Sequence, residues 1–266
     1  MHSPAMLARI ILVIVLSALT LAVRAQEKGV WQNRKCAVSL TYDDGLNVHL
    51  DTVVPILDSL GFKGTFYITG DFRAFRERVN EWKTVAGKGN ELGNHTLFHP
   101  CEGKLPGREW VKPEYDLSNY SMRRMLDEIE MANVFLRAID GKTRRTFAYP
   151  CGDMKVGDSS YVESIRGEFV GARGVEGRLQ TIVEIDPYRI GAFMINGESG
   201  GDLVALVKKA MEKKALLVFL FHGVGGEHSL NVSLRAHSEL LHFLKANEKD
   251  IWVAPLVDIV EYVEAR

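Results

Sequence analysis

Seven consecutive apolar residues, Ala215–Phe221, stop abruptly at His222-Gly223. A run that short and continuous reads as a strand buried on both faces, because a face left to water would show polar residues at alternate positions. It is one of a series. Cys36–Tyr42, Gly64–Thr69, Thr146–Tyr149, Phe169–Ala172, Arg189–Met194 and Ile251–Pro255 also read as strands, with a short extended piece at Glu91–Asn94. Between them, apolar residues recur at helical spacing over Leu50–Leu60, Phe72–Lys88, Met122–Leu136, Asp202–Lys213, Leu234–Leu244 and Val257–Val263. Ser121 is placed to cap the third of these helices and Gly141 to end it. Doubly covered strands alternating with helices call for a parallel sheet, and this many units predicts closure into a (β/α) barrel.

The residues just past the strands carry the chemistry. Asp43-Asp44-Gly45 follows the first strand, His95 the extended piece, the turn Tyr149-Pro150-Cys151-Gly152 the next, and His222 the apolar run. In (β/α) barrels the C-terminal strand ends form the face on which active sites are built, so residues scattered in sequence converge there. An isolated Asp-Asp-Gly is ordinarily a solvated turn. Its company here argues for a site.

Arg9 precedes an uncharged run, Ile10–Val23, and Val23 and Ala25 supply small residues at a cleavage position, so residues 1–25 read as a secretory signal. The run is shorter than the about 20 apolar residues of a membrane span, and no stable membrane insertion is expected after cleavage. Residues 26–266 then form one catalytic domain in a secreted or periplasmic protein. Beyond Ala25 there are 31 basic and 34 acidic residues, a net charge of about −3 with no basic stripe, which excludes nucleic acid as a partner. Three cysteines in an oxidising compartment permit one disulfide, with Cys36, in a buried strand, as the leftover thiol.

His95-Thr96-Leu97-Phe98-His99-Pro100 sets two histidines four apart. On one face of a helical turn they would stand close enough to share an ion, although many such pairs are solvated helix faces. With Asp44 as third ligand the set becomes two imidazoles and a carboxylate. That leaves a position for water, as in a hydrolytic zinc centre.

Taken together, Thr-Tyr-Asp-Asp-Gly, His-Thr-x-x-His-Pro, Phe-Ala-Tyr-Pro-Cys-Gly and Leu-Phe-His resemble the motifs of the polysaccharide deacetylase family, also called the NodB-homology or carbohydrate esterase 4 family. The resemblance implies a deformed (β/α)7-type barrel that removes N-acetyl groups from N-acetylglucosamine-containing glycans; the alternatives are an O-acetyl esterase on xylan, a small-molecule amidase of the same fold, or a glycan-binding relative without turnover. It implies Asp43 as catalytic base, Asp44, His95 and His99 as ligands of Zn2+ or another divalent transition metal, and His222 as catalytic acid. The backbone N–H of Cys151 would meet the oxyanion, and Tyr149, Pro150 and Arg189 would contact an acetylated glycan.

Two features depart from that pattern. The family commonly carries an arginine two residues before the proline of its third motif, directed at the catalytic aspartate, and this chain has Ala148 there. Either another cation supports Asp43, with Arg145, Arg173 and Arg189 as candidates, or hydrogen bonds alone hold the base. The family's aspartate that tunes the catalytic histidine is also missing, with Asp186 a weak substitute. Cys101 and Cys151 should border one cleft, and a Cys101–Cys151 disulfide is expected to pin the long loop Cys101–Tyr120. His228 reads as a surface-loop histidine or a substrate contact, and His49, His237 and His242 as structural or solvated. Trp110, Tyr115 and Tyr120 would either stack on sugar rings or pack the loop down.

Overall fold

The computed structural model describes residues 30–266, and the signal segment expected at residues 1–25 lies outside the described residues. Strand β1 (Cys36–Asp43) is the axis of the sheet. Along one side, residues 37–42 pair in parallel with 216–221 of the apolar run, Ala215–Phe221. On its other side β1 is shared. Its N-terminal half pairs with Ile251–Val253 and its C-terminal end with β2 (Thr65–Ile68). β3 (Glu91–Asn94), β4 (Thr146–Ala148) and β5 (Gly171–Arg173) extend the sheet in parallel order beyond β2. The short strand Gln180–Thr181 runs antiparallel beside the apolar run, and Phe193–Met194 pairs with it in parallel. The sheet curls into the expected deformed (β/α)7-type barrel.

Side-chain alternation sorts the core. Val38, Leu40 and Tyr42 pack with Phe219 and Phe221 against the helices. Ala37 joins Leu216, Val218 and Leu220 in a second cluster that includes Leu256 and Ile259 of the last helix, Leu256–Glu264. Each large side chain withdrawn from water this way stabilises the fold by about 1.5–3 kcal/mol.

Helix Met122–Asp140 starts and stops where its caps require. Ser121 Oγ accepts from the Arg124 N–H, and Gly141 adopts a left-handed conformation (φ 72°) that an L side chain resists. The stripe Phe72–Lys88 is two helices, Arg73–Glu77 and Val79–Gly87. The break falls at Arg78 (φ −123°), whose guanidinium is drawn to Asp51 and Glu81 at 2.6 Å each. The segment His49–Val53 winds as a π-turn before Val54–Leu60 continues as an α-helix. Strand Arg189–Met194 shrinks to two residues because Arg189 and Ile190 sit in a turn bridged to Arg173. Among the described residues no helix is long and apolar enough to cross a membrane.

Candidate active site

Five strand ends deliver side chains to one rim. Asp43 closes β1, Asp44 follows it, Thr69 and His95 lie just past β2 and β3, Arg173 ends β5, and His222 follows the apolar strand. Asp44 turns the chain with φ 78° and Gly45 continues the turn with φ 69°, which is how two consecutive carboxylates come to share one cleft.

The paired histidines do not lie on a helical turn, contrary to the spacing argument. Thr96 (φ 66°) and His99 (φ 52°) are left-handed, a conformation that costs an L residue about 1–2 kcal/mol. The loop is held by its own polar groups. Asn94 Oδ1 accepts from the Thr96 N–H at 2.8 Å, Thr96 Oγ1 accepts from the His99 N–H at 2.9 Å, and the Gly70 N–H donates to the Thr96 carbonyl. An irregular loop brings the rings to a centroid separation of 4.6 Å. Of the eight left-handed non-glycine residues among those described, Asp44, Thr96, His99 and Cys151 lie here, and backbone strain is common at functional sites.

His95 Nδ1 donates to the Ala148 carbonyl at 2.8 Å, so its Nε2 presents a lone pair. That atom and His99 Nε2 each stand 3.9 Å from Asp44 Oδ1. Two ligands of a tetrahedral ion with bonds of about 2.0–2.2 Å stand about 3.3–3.6 Å apart, so shifts of a few tenths of an ångström would let the three atoms share one. Their charge states fit that use. Burial lowers His95 to about 3 and His99 to about 4, which keeps both imidazoles neutral, while burial and the neighbouring Asp43 charge raise Asp44 to about 7. A buried carboxylate facing two neutral imidazoles is a donor set that fits a divalent ion. His99 also lies near Cys101 and Cys151, but those sulfurs are bonded to each other.

Asp43 is supported by Arg173. The guanidinium donates to Asp43 Oδ1, and both side chains are buried. Burial alone would raise the Asp43 pKa; Arg173, helped by His95 and His222, overcomes it and holds the group at about 2. Arg145 is instead committed to Asp140 and the Leu92 carbonyl. Arg189 is exposed, 3.8 Å from Asp186, and Asp186 Oδ1 accepts from the Tyr188 N–H of its own turn. Arg173 is itself supported from below. Its guanidinium lies 4.6 Å over the Tyr67 ring, and Gly93 leaves room for that ring, since a Cβ there would fall 2.4 Å from Tyr67 Cδ1.

His222 is anchored through its backbone. Its carbonyl accepts from His49 Nε2 at 2.8 Å, the tautomer being set by the Leu46 N–H donating to His49 Nδ1. Its own Nδ1 is buried and has no partner among the described residues, and burial lowers its pKa to about 4. Asp186 therefore does not take the place of the missing aspartate. His237 is structural as expected, with Nε2 2.9 Å from the Tyr42 hydroxyl, whereas His242 is exposed. His228 belongs to the site rather than the outer surface, with Nε2 3.9 Å from Asp44 Oδ2.

Cys151 (φ 55°) sits in a turn closed by the Gly152 N–H donating to the Tyr149 carbonyl. Tyr149 and Pro150 are buried, and the Tyr149 hydroxyl donates to the Tyr188 carbonyl, so side-chain contact with a glycan is not available to them in this conformation. The expected Cys101–Cys151 disulfide is present, and Cys36 is a buried free thiol. Arg108 adds a second tie, pairing with Asp153 and donating to the Cys151 carbonyl at 3.1 Å. Of the loop aromatics, Tyr120 is buried, Tyr115 stacks on Phe98, and Trp110 remains 61% exposed.

The polysaccharide deacetylase family profile matches residues 32–164, half of the chain. Among curated proteins, a gellan lyase from a Bacillus species is 26% identical over 267 aligned residues, covering 90% of this chain and 10% of that one. The YlxY protein of Bacillus subtilis is 27% identical over 109 residues, covering 41% of this chain and 29% of its own length. The chain thus spans less than a third of either relative. Among solved structures, the family 4 carbohydrate esterase PdaA of Bacillus subtilis superposes with a TM-score of 0.54 at 18% identity, covering 94% of this chain and 89% of that one. The D285S mutant of the peptidoglycan deacetylase PdaC from the same organism gives 0.51 at 18% identity, with 88% and 93% covered. These two likenesses are likenesses of fold.

Proposed function

The chain belongs to the polysaccharide deacetylase family, and from that premise we propose that it is a metal-dependent hydrolase removing N-acetyl groups from N-acetylglucosamine-containing poly- or oligosaccharides. The observation that carries the reading is the division of labour between adjacent carboxylates. Asp44 faces two imidazole nitrogens, while Asp43 is turned onto Arg173 with Oδ2 3.7 Å from His95 Nε2.

Asp44, His95 and His99 would hold the ion, with Zn2+ the first choice for two imidazoles and a carboxylate. When bound, such an ion supplies an activated water and polarises the acyl oxygen. The protein's own groups do the rest. Asp43, kept ionised by Arg173, takes the proton of the attacking water. The Cys151 N–H donates to the oxygen on which negative charge develops. His222 gives a proton to the departing amine, since an amide nitrogen leaves only when protonated. Arg189 and Trp110 remain available at the surface for the sugar chain.

A secreted or periplasmic site of action fits the reading of residues 1–25 as a signal and the disulfide at the cleft. Residues 26–266 are then the catalytic domain.

One observation favours O-deacetylation, as of acetylated xylan. His222 lacks a carboxylate partner and its pKa is lowered by burial, which weakens it as a neutral-pH acid, and an ester depends less on leaving-group protonation than an amide does. Acetate release from N-acetylglucosamine oligomers, peptidoglycan and acetylated xylan, each with and without chelator, decides between the two. Release from none of them, with metal bound, would overturn the hydrolase reading.

A further inference from the structure

We propose that His228 is a positioning residue for the metal-binding carboxylate, donating from Nε2 to the outer oxygen of Asp44 so that only the inner oxygen is left to the ion. This rests on the reading of Asp44, His95 and His99 as a metal site.

The two oxygens of Asp44 face different neighbours. Oδ1 stands 3.9 Å from each of His95 Nε2 and His99 Nε2 and 3.5 Å from Thr69 Oγ1, whereas Oδ2 stands 3.9 Å from His228 Nε2. The ligand atoms of Asp44, His95 and His99 lie within 4.8 Å of one another and His228 is not in that group, which is why we assign it to the carboxylate and not to the ion. Its tautomer is set locally. The Leu230 N–H donates to His228 Nδ1 at 3.0 Å, which makes Nδ1 an acceptor and puts the ring proton on Nε2, the atom facing Asp44. Closing from 3.9 Å to hydrogen-bond length takes about 1 Å, a small rotation of the Asp44 carboxylate toward the ring.

The loop carrying His228 is bolted to the turn that carries Asp44. Glu227 accepts from the Asn47 N–H at 3.1 Å, from Asn47 Nδ2 at 2.8 Å and from the Val48 N–H at 2.5 Å. Glu227 holds a left-handed backbone (φ 69°) to do so, and Asn231 Oδ1 accepts from the Gly226 N–H at 2.8 Å behind it. Gly223 is needed for this closure, because a Cβ there would lie 2.3 Å from the Gly226 carbonyl oxygen. The His228 ring then lies parallel to that of His222, with centroids 4.7 Å apart and planes at 14°. A ring fixed by a backbone donor, a stacked neighbour and a tethered loop is preorganised for one contact.

A donor on the outer oxygen keeps Asp44 monodentate and leaves a coordination position open. Partners of this kind typically contribute 10–100-fold to metal affinity. A residue that only touched glycan would leave that affinity unchanged.

The test is a competition titration of Zn2+ between a chromogenic chelator and the full chain, comparing wild type, His228→Ala and His228→Gln, with Co2+ absorption spectra as a second readout. Glutamine keeps an N–H donor near the position of Nε2. The alanine variant is expected to bind Zn2+ 10–100-fold more weakly with an altered Co2+ spectrum, and the glutamine variant to bind within about threefold of wild type. Thermal melts of the metal-free variants check that folding is intact. Equal Zn2+ affinity in wild type and His228→Ala overturns the proposal, even if KM for glycan rises, and so does a glutamine variant as weak as the alanine one. Failure of the hydrolase reading looks different: wild type binds Zn2+ and releases no acetate, while the affinity ratio between the variants persists.

Discussion

Arg173 donates to the Asp43 carboxylate across 130 residues of chain, from the end of one strand to the end of another four places away in the sheet. Only closure of the barrel brings them together. The contact occupies one oxygen of the aspartate, offsets its buried charge, and leaves the other oxygen 3.7 Å from His95 Nε2.

Arg173→Met strands that carboxylate in the interior. Removing one partner of a buried pair costs on the order of 3–5 kcal/mol, which denaturant titration would register. Burial, its main opponent gone, then raises the Asp43 pKa from about 2. A base works only above its pKa, so the acidic limb of kcat/KM moves to higher pH. An acidic limb that stays in place would separate Arg173 from the base.

Gly93→Ala tests the support beneath. The new methyl would meet the Tyr67 ring on which Arg173 lies, and overpacking of this kind costs about 1–3 kcal/mol. Both Tm and acetate release should fall. Adding Tyr67→Leu should restore much of Tm while activity stays low, because the platform for the guanidinium is gone.

His99→Ala removes one of three ligands. Metal content after gel filtration, read by elemental analysis, should drop from near one ion per chain to well below it, with the far-ultraviolet circular dichroism unchanged. Full retention of metal would remove His99 from the ligand set.

Acid should destabilise the chelator-treated protein from just below neutrality. Burial lowers His49 from 6.5 to about 4 and His237 from 6.5 to about 3. Between these values and 6.5 the unfolded chain binds protons that the folded chain refuses, so stability rises with pH and is lost as pH falls below 6.5. Each ring contributes about 1.4 kcal/mol per pH unit in that window. His237→Gln should flatten the dependence of denaturation midpoint on pH by one ring's share; an unchanged slope would contradict its burial as a neutral group.

Much of this architecture is legible in the chain because strand ends and helix caps are local. Ala215–Phe221, the Ser121 cap and the carboxylates at the end of β1 all follow from neighbours in sequence. Arg173 is different. It ends a three-residue strand with nothing nearby to mark it, so sequence reasoning could name it among three arginines but not choose it. The His95–His99 spacing suggested a helical turn, and the true geometry depends on Asn94 and Thr96 side chains satisfying a left-handed backbone. His228 was hidden for a similar reason. Its place is set by Glu227 gripping Asn47 and Val48, a contact between segments about 180 residues apart.

The Cys101–Cys151 bond joins the loop after the paired histidines to the turn after β4. Synthesis in a reducing cytosol would present two thiols next to His99, within 4.8 Å of its ring nitrogen. Thiolates are soft donors with high affinity for zinc. Recombinant material prepared without oxidative folding would therefore offer zinc a second, competing set of donors, and low turnover in such a sample would report on the preparation rather than on the folded chain.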